Sequence, residues 1–88
     1  MRVWANEVKK HKTIKRAKAV SDNTDLTEAL NECLWQIYKE LDLSEPVWLK
    51  KHANELAHFS RTKFFPADFI EPVNFDYLEI EFSAIDGD

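Results

Sequence analysis

The side chains with chemical potential are Glu79 and Glu81, His52 and His58, Cys33, and the run KKHKTIKRAK from Lys9 to Lys18. Glu79 and Glu81 stand two apart, so an extended chain puts both carboxylates on one face. Acid catalysis from such a pair needs an apolar pocket that raises one pKa, and nothing around them suggests one. His52 and His58 are six apart, about 240° around a helix, whereas two metal ligands on one helical face need a spacing of three or four. With His11 they form no metal constellation, and His52 reads as a helix-boundary residue. A nucleophilic cysteine requires exposure and a neighbouring base. Cys33 sits in an apolar helical pattern that predicts a buried, inert thiol, and as the one cysteine it has no disulfide partner within the chain. That usage fits a reducing compartment. The one glycine, Gly87, excludes the phosphate-cradling loops of nucleotide sites, and no serine motif is present. No catalytic residue, cofactor or metal is therefore expected, and the chain reads as a non-enzyme.

The basic run is the sharpest feature. Residues 1–20 hold seven Lys or Arg against one Glu, a surplus of +6, while residues 21–88 carry −10, in a protein whose formal net charge is −4. From Pro66 to Asp88 there are seven acids and no Lys or Arg. Cations on one strand and anions on a neighbour attract by roughly 0.2 to 1 kcal/mol per pair and help to choose strand partners. The expected arrangement sets Lys15, Arg16 and Lys18 against Glu79 and Glu81 on the wet side of a sheet. Lysines on a hairpin also discourage unwanted edge pairing. The alternative is a nucleic-acid contact through Lys9, Lys10, Lys12, Lys15, Arg16 and Lys18. It predicts a log–log salt slope of about −3 to −4 for three to five phosphates. Against it stand the pI of about 5.3 and the lack of a ring inside the run, Trp4 being the nearest. Arg61-Thr-Lys63-Phe64-Phe65 is a smaller basic and aromatic cluster, whose rings more ordinarily pin a loop to the core.

The elements that position these groups follow from periodicity. Val3, Trp4, Val8, Ile14 and Val20 favour strands, so residues 1–20 form a basic β-hairpin turning near Lys10–Lys12. A loop of Lys10 and His11 would set Trp4 opposite Ala17 and Val8 opposite Thr13. One more loop residue would set Val8 opposite Ile14, the favoured pairing of two β-branched side chains. Asp25-Leu-Thr-Glu28 has capping-box spacing, and Leu26, Leu30, Cys33, Leu34, Ile37 and Leu41 recur on one face of a helix over 25–42. Ser44-Glu45-Pro46 signals a second helix over 45–58, with Trp48, Leu49, Ala53, Leu56 and Phe59 apolar. A very short link should pack the two helices as an antiparallel pair. Residues 60–74 read as a Phe- and Pro-rich connector, though a short strand and a helical turn also fit. Residues 75–85 alternate as an acidic strand, with Leu78, Ile80, Phe82 and Ala84 inward.

Together these elements predict a single α+β domain over 1–88. It is ββααβ, a small three-stranded antiparallel sheet covered on one face by two helices. No stretch approaches the roughly 18 apolar residues of a membrane span, and the first residues lack a secretory signal's apolar core, so a cytoplasmic chain with no membrane partner is expected. Eleven rings, three Trp, two Tyr and six Phe, are many for 88 residues. Rings usually build core, and a surplus marks a protein-binding or self-association surface. The candidate interface is Trp35, Tyr38, Trp48, Phe64, Phe65 and Phe69. A small cytosolic interaction module acting by surface presentation, as a homodimer, is the leading expectation, and nucleic-acid binding by the hairpin is the alternative.

Overall fold

A computed structural model describes residues 1–83. Strands β1 (Arg2–Lys9) and β2 (Lys12–Val20) form the hairpin. Helices α1 (Leu26–Leu41) and α2 (Lys50–Phe59) follow, then β3 (Arg61–Phe64), a single 3-10 turn (Pro66–Asp68) and β4 (Tyr77–Ser83). Over the described residues the chain is α+β, with two helices and an antiparallel sheet, but the sheet has four strands in the order β2-β1-β4-β3. The extra strand lies in the segment expected to be a connector. Arg61-Thr-Lys63-Phe64 is too short to show periodicity, yet Thr62 and Phe64 point inward and Arg61 and Lys63 outward. Of the expected 75–85 strand, residues 84 and 85 lie outside the described residues.

The hairpin uses both registers that the sequence allows. Lys10 and His11 take φ of 52° and 66°, the two-residue turn whose twist matches the strands, and Val8 lies opposite Thr13. A bulge then shifts the pairing, so that Glu7 opposes Lys15 and Trp4 opposes Lys18. Ile14 is the extra residue, so the favoured Val8–Ile14 pair does not form, and its side chain is exposed.

The polar break before α1 is a built cap. Asp25 Oδ1 accepts the Glu28 N–H at 3.0 Å. Glu28 does not return to Asp25; Asn23 accepts the Asp25 N–H and donates its own amide to Glu28 and Glu32. Ser21 also donates to Glu32, and these hydrogen bonds, that from Asn23 first, hold the Glu32 carboxyl below its ordinary value. At the other end, Leu43 N–H bonds Tyr38 O and Asp42 N–H bonds Lys39 O, with Asp42 left-handed at φ 55°. This is the glycine-type C-terminal motif made by an aspartate.

The second helix starts later than expected. Val47 N–H is taken by the Asp68 carbonyl at 2.7 Å, which keeps residues before Lys50 out of helix despite the Ser44 and Pro46 signals. His52, at the third helical position, accepts the Leu49 N–H on Nδ1 at 2.9 Å and closes the first turn.

The core lies between the sheet and the helices. Val3 and Ala5 of β1, Ala17 and Ala19 of β2, and Leu78 and Ile80 of β4 face inward, against Ala29, Cys33, Leu34, Ile37 and Leu41 of α1. Alanines on β1 and β2 let α1 lie close over the hairpin. Under α2, the rings of Trp48, His52, Phe64, Phe69 and Phe75 meet at centroid distances of 4.2 to 6.4 Å, mostly edge to face. The helices do not pack as an antiparallel pair. Packing is chiefly of α1 on β1 and β2 and of α2 on β3, which leaves a cleft between the helices.

Candidate interaction surfaces

The outer face of the sheet carries no helix. Antiparallel register places side chains there in rows: Lys18, Trp4, Glu81 and Arg61 in one, and Arg16, Asn6, Glu79 and Lys63 in the next. The expected pairing of Lys15, Arg16 and Lys18 with Glu79 and Glu81 is therefore not made. β1 intervenes between β2 and β4, and adjacent strands are already about 4.8 Å apart. The glutamates instead face the short strand that was expected to be a connector. Arg61 reaches Glu81 at 3.6 Å, and Lys63 lies 4.5 Å over the Tyr77 ring. Lys15 is on the other side, opposite Glu7.

β2 is thus an edge strand whose outward cations are unspent. Among the described residues, the side chains of Lys9, Lys12, Arg16 and Lys18 make no ion pair or hydrogen bond. Lys10 is tied by its backbone, whose N–H donates to Asp76 at 2.8 Å. An open depression of about 790 Å³, lined by Trp4, Asn6, Arg16, Lys18 and Glu81, continues over this edge to Ala17 and Glu40. The Arg61 to Phe65 cluster splits: Phe64 is in the core, Phe65 is exposed and touches the Tyr77 ring, and the two cations are engaged as described.

The cleft between the helices is a largely apolar concavity. Leu30, Leu34, Trp35, Tyr38, Trp48, Ala53 and Leu56 line about 630 Å³, with Asn31 and Glu45 at its borders. Three of the six candidate interface residues, Trp35, Tyr38 and Trp48, meet here. Trp35 stands at the rim, 61% exposed, with Lys39 Nζ 4.3 Å over its ring. Tyr38 is buried, and its hydroxyl accepts the Trp48 indole N–H at 3.3 Å, so these two form the wall. Burial pushes the Tyr38 phenol up to about 12. Phe64 and Phe69 do not join this surface. Both are buried in the ring stack under α2, so they are consumed by the core rather than presented. Phe65 is exposed at a different place, on a ledge with Phe59, Lys51 and Arg61.

His52 is fully buried between Trp48 and Phe64, with Nδ1 bonded to the Leu49 N–H and Nε2 lacking a hydrogen bond, 3.6 Å from Asp68 Oδ2. Burial pulls its pKa below the ordinary value, while the Asp68 carboxylate pulls it back up. The same carboxylate accepts the Phe65 N–H at 2.8 Å. The arrangement ties the 3-10 turn to α2, with the imidazole sealed from water and the Asp68 carboxylate at the edge of it. Cys33 is buried on the inward face of α1, and desolvation raises its thiol pKa, the opposite of nucleophile activation. Glu79 lies on the open sheet face, half-buried and without an enclosing apolar wall. Among the described residues no three His, Cys, Asp or Glu side chains group as a metal site, and no helix is long and apolar enough to cross a membrane.

The residue that sequence reasoning missed is Glu7, a carboxyl on the inward face of a central strand, only 2% exposed. Its signal was present in the alternation Val3, Ala5, Glu7, which places it on the apolar side. No protein-family model, no curated protein and no solved structure matches this chain.

Proposed function

We propose that the chain is a small cytoplasmic interaction module that acts by surface presentation rather than catalysis and associates with a second copy through the cleft between α1 and α2. The observation that carries this reading is Trp35. A large ring stands exposed on the rim of an apolar groove that the helices leave unfilled. An anchor beside a pocket is self-complementary: a two-fold axis along the cleft seats each Trp35 in the other copy's groove. Removing such a ring from water contributes a few kcal/mol, enough to drive weak dimerisation. Sedimentation velocity over a wide range of concentrations tests it. The expected result is a concentration-dependent shift that Trp35→Glu abolishes while the circular dichroism stays unchanged. A parent that is strictly monomeric overturns it.

A second reading, nucleic-acid binding by the hairpin, gains support from the edge position of β2, whose Lys12, Arg16 and Lys18 lack a partner among the described residues. Against it, Glu79 and Glu81 stand in the middle of the same face, and Trp4 is half-buried. A gel shift at low salt with the Lys9, Lys10, Lys12→Glu triple variant tests it. Equal binding by parent and variant refutes it.

A further inference from the structure

Beyond self-association, we infer that the β2 edge is a docking site for an acidic extended segment of a partner protein, which adds as a fifth strand. The sheet already contains the recognition it would use. In the β3·β4 pair, Arg61 lies opposite Glu81 and Lys63 opposite Glu79, with Ile80 turned into the core between the two glutamates. β2 presents Arg16 and Lys18 on the same outer face at the same i, i+2 spacing, and both lack a partner among the described residues. A strand with acid, apolar residue, acid in alternation would repeat the β3·β4 pairing at the opposite edge.

Three further observations favour this occupant. β2 is nine residues long, and antiparallel pairing on one side leaves alternate backbone N–H and C=O groups directed away from the sheet. Among the described residues, Gln36 covers the strand's end, where Nε2 donates to Val20 O at 3.4 Å. Glu40 lines the same depression as Ala17, so an acidic partner residue pointing that way is repelled, which selects alternation over a uniformly acidic run. Finally, both edges of the sheet are cationic, β2 through Lys12, Arg16 and Lys18 and β3 through Arg61 and Lys63, whereas the anionic strand is interior. Edge pairing between two copies would set cation against cation, so the added strand comes from a different protein. Strand addition of this kind takes its affinity from main-chain bonds and its specificity from alternate side chains.

The probe is a capped, fluorescein-labelled peptide with the β4 sequence YLEIEFS, titrated by anisotropy at low salt. Expected are binding by the parent, weakening by tenfold or more in the Arg16→Glu/Lys18→Glu double variant, and recovery with a peptide carrying Lys at both Glu positions, since two attractions become two repulsions and back. Backbone methylation at alternate peptide residues should abolish binding, and the β2 amides should gain protection from hydrogen exchange. No binding, or equal binding of the methylated peptide, overturns the inference. So does a single-stranded oligonucleotide that binds more tightly than the peptide and displaces it, an outcome that assigns the edge to nucleic acid. Repeating the titration with Trp35→Glu separates this surface from the cleft. Unchanged affinity is expected, and lost affinity overturns a distinct edge site.

Discussion

Glu7 offers the most direct test of how this sheet is held. Its carboxyl faces inward from the central strand β1, opposite Lys15 on one side and Leu78 on the other, in a depression walled by Leu41, Leu43, Val73 and Phe75. Burial raises its pKa above the ordinary 4.5, and the Lys15 cation opposes that rise. Taking a carboxylate out of water costs several kcal/mol even after relaxation. The Lys15 cation, opposite Glu7 on β2 but exposed to water, returns only part of that cost. Desolvation is the larger of the two effects, so a net cost remains with Glu7 ionised.

The sign of the pH dependence follows. A carboxyl whose folded pKa lies above its unfolded value favours the fold fully below about pH 4.5, and that contribution is lost as pH rises through the folded pKa. Glu7→Gln keeps the shape and removes the charge. Relative to the parent, the variant should gain stability between pH 4 and pH 7, by about 1.4 kcal/mol for each unit by which the folded pKa is raised, each kcal/mol being worth about 4–8 °C in Tm for a domain of this size. Thermal unfolding by circular dichroism across that range measures the difference, and taking it between two pH values cancels any fixed cost of burying an amide. A Tm difference that does not change with pH, or moves the other way, refutes the reasoning.

Three other outcomes are expected. His52, whose folded pKa is lowered, contributes stability that is present above about pH 6.5 and is lost as pH falls through the folded value. His52→Gln should flatten that part of the stability curve in urea unfolding, with Asp68, Lys51 and Glu55 the charged groups around it. An unchanged slope counts against a buried neutral imidazole. The turn residues Lys10 and His11 both take positive φ, where Asn-Gly is the preferred pair, so the Lys10→Asn/His11→Gly variant should raise stability by about 0.5–1 kcal/mol, and an unmoved urea midpoint sinks the claim. Cys33 should react with a thiol reagent only at the rate of global unfolding; rapid native labelling contradicts its burial on the inward face of α1.

The parts of the fold legible in the sequence are those with long periodicity or a local cap. Asp25 begins α1, Leu78 and Ile80 alternate inward, and Cys33 sits in the stripe, because each signal depends on neighbours only a few residues away. What stayed hidden depends on distant partners. Val47 is barred from the helix by a carbonyl at Asp68, and Arg61 to Phe64 becomes a strand because β4 offers it a paired edge. Ile14 is exposed because a bulge reconciles the turn register with the sheet register. At the candidate surfaces, Trp35, Tyr38 and Trp48 converge as their apolar excess suggests, whereas Phe64 and Phe69 are absorbed by the ring stack. Ring count alone cannot separate those fates, since both bury apolar area.

The topology also explains how an acidic chain keeps a basic hairpin. Had β2 lain beside β4, its cations would have been neutralised internally and the sheet would have ended on β1, whose outward side chains include Trp4 and Asn6. Instead β1 takes the central place beside β4, and the anions of Glu79 and Glu81 are met by Arg61 and Lys63 on β3. Both exposed edges are then cationic, and charge repulsion blocks the edge-to-edge pairing that threatens any open sheet. The same arrangement divides the surface by partner. On the proposed reading, two copies would be kept apart at their edges and would meet through the largely apolar cleft, while an edge closed to copies of itself would stay open to a strand of opposite sign.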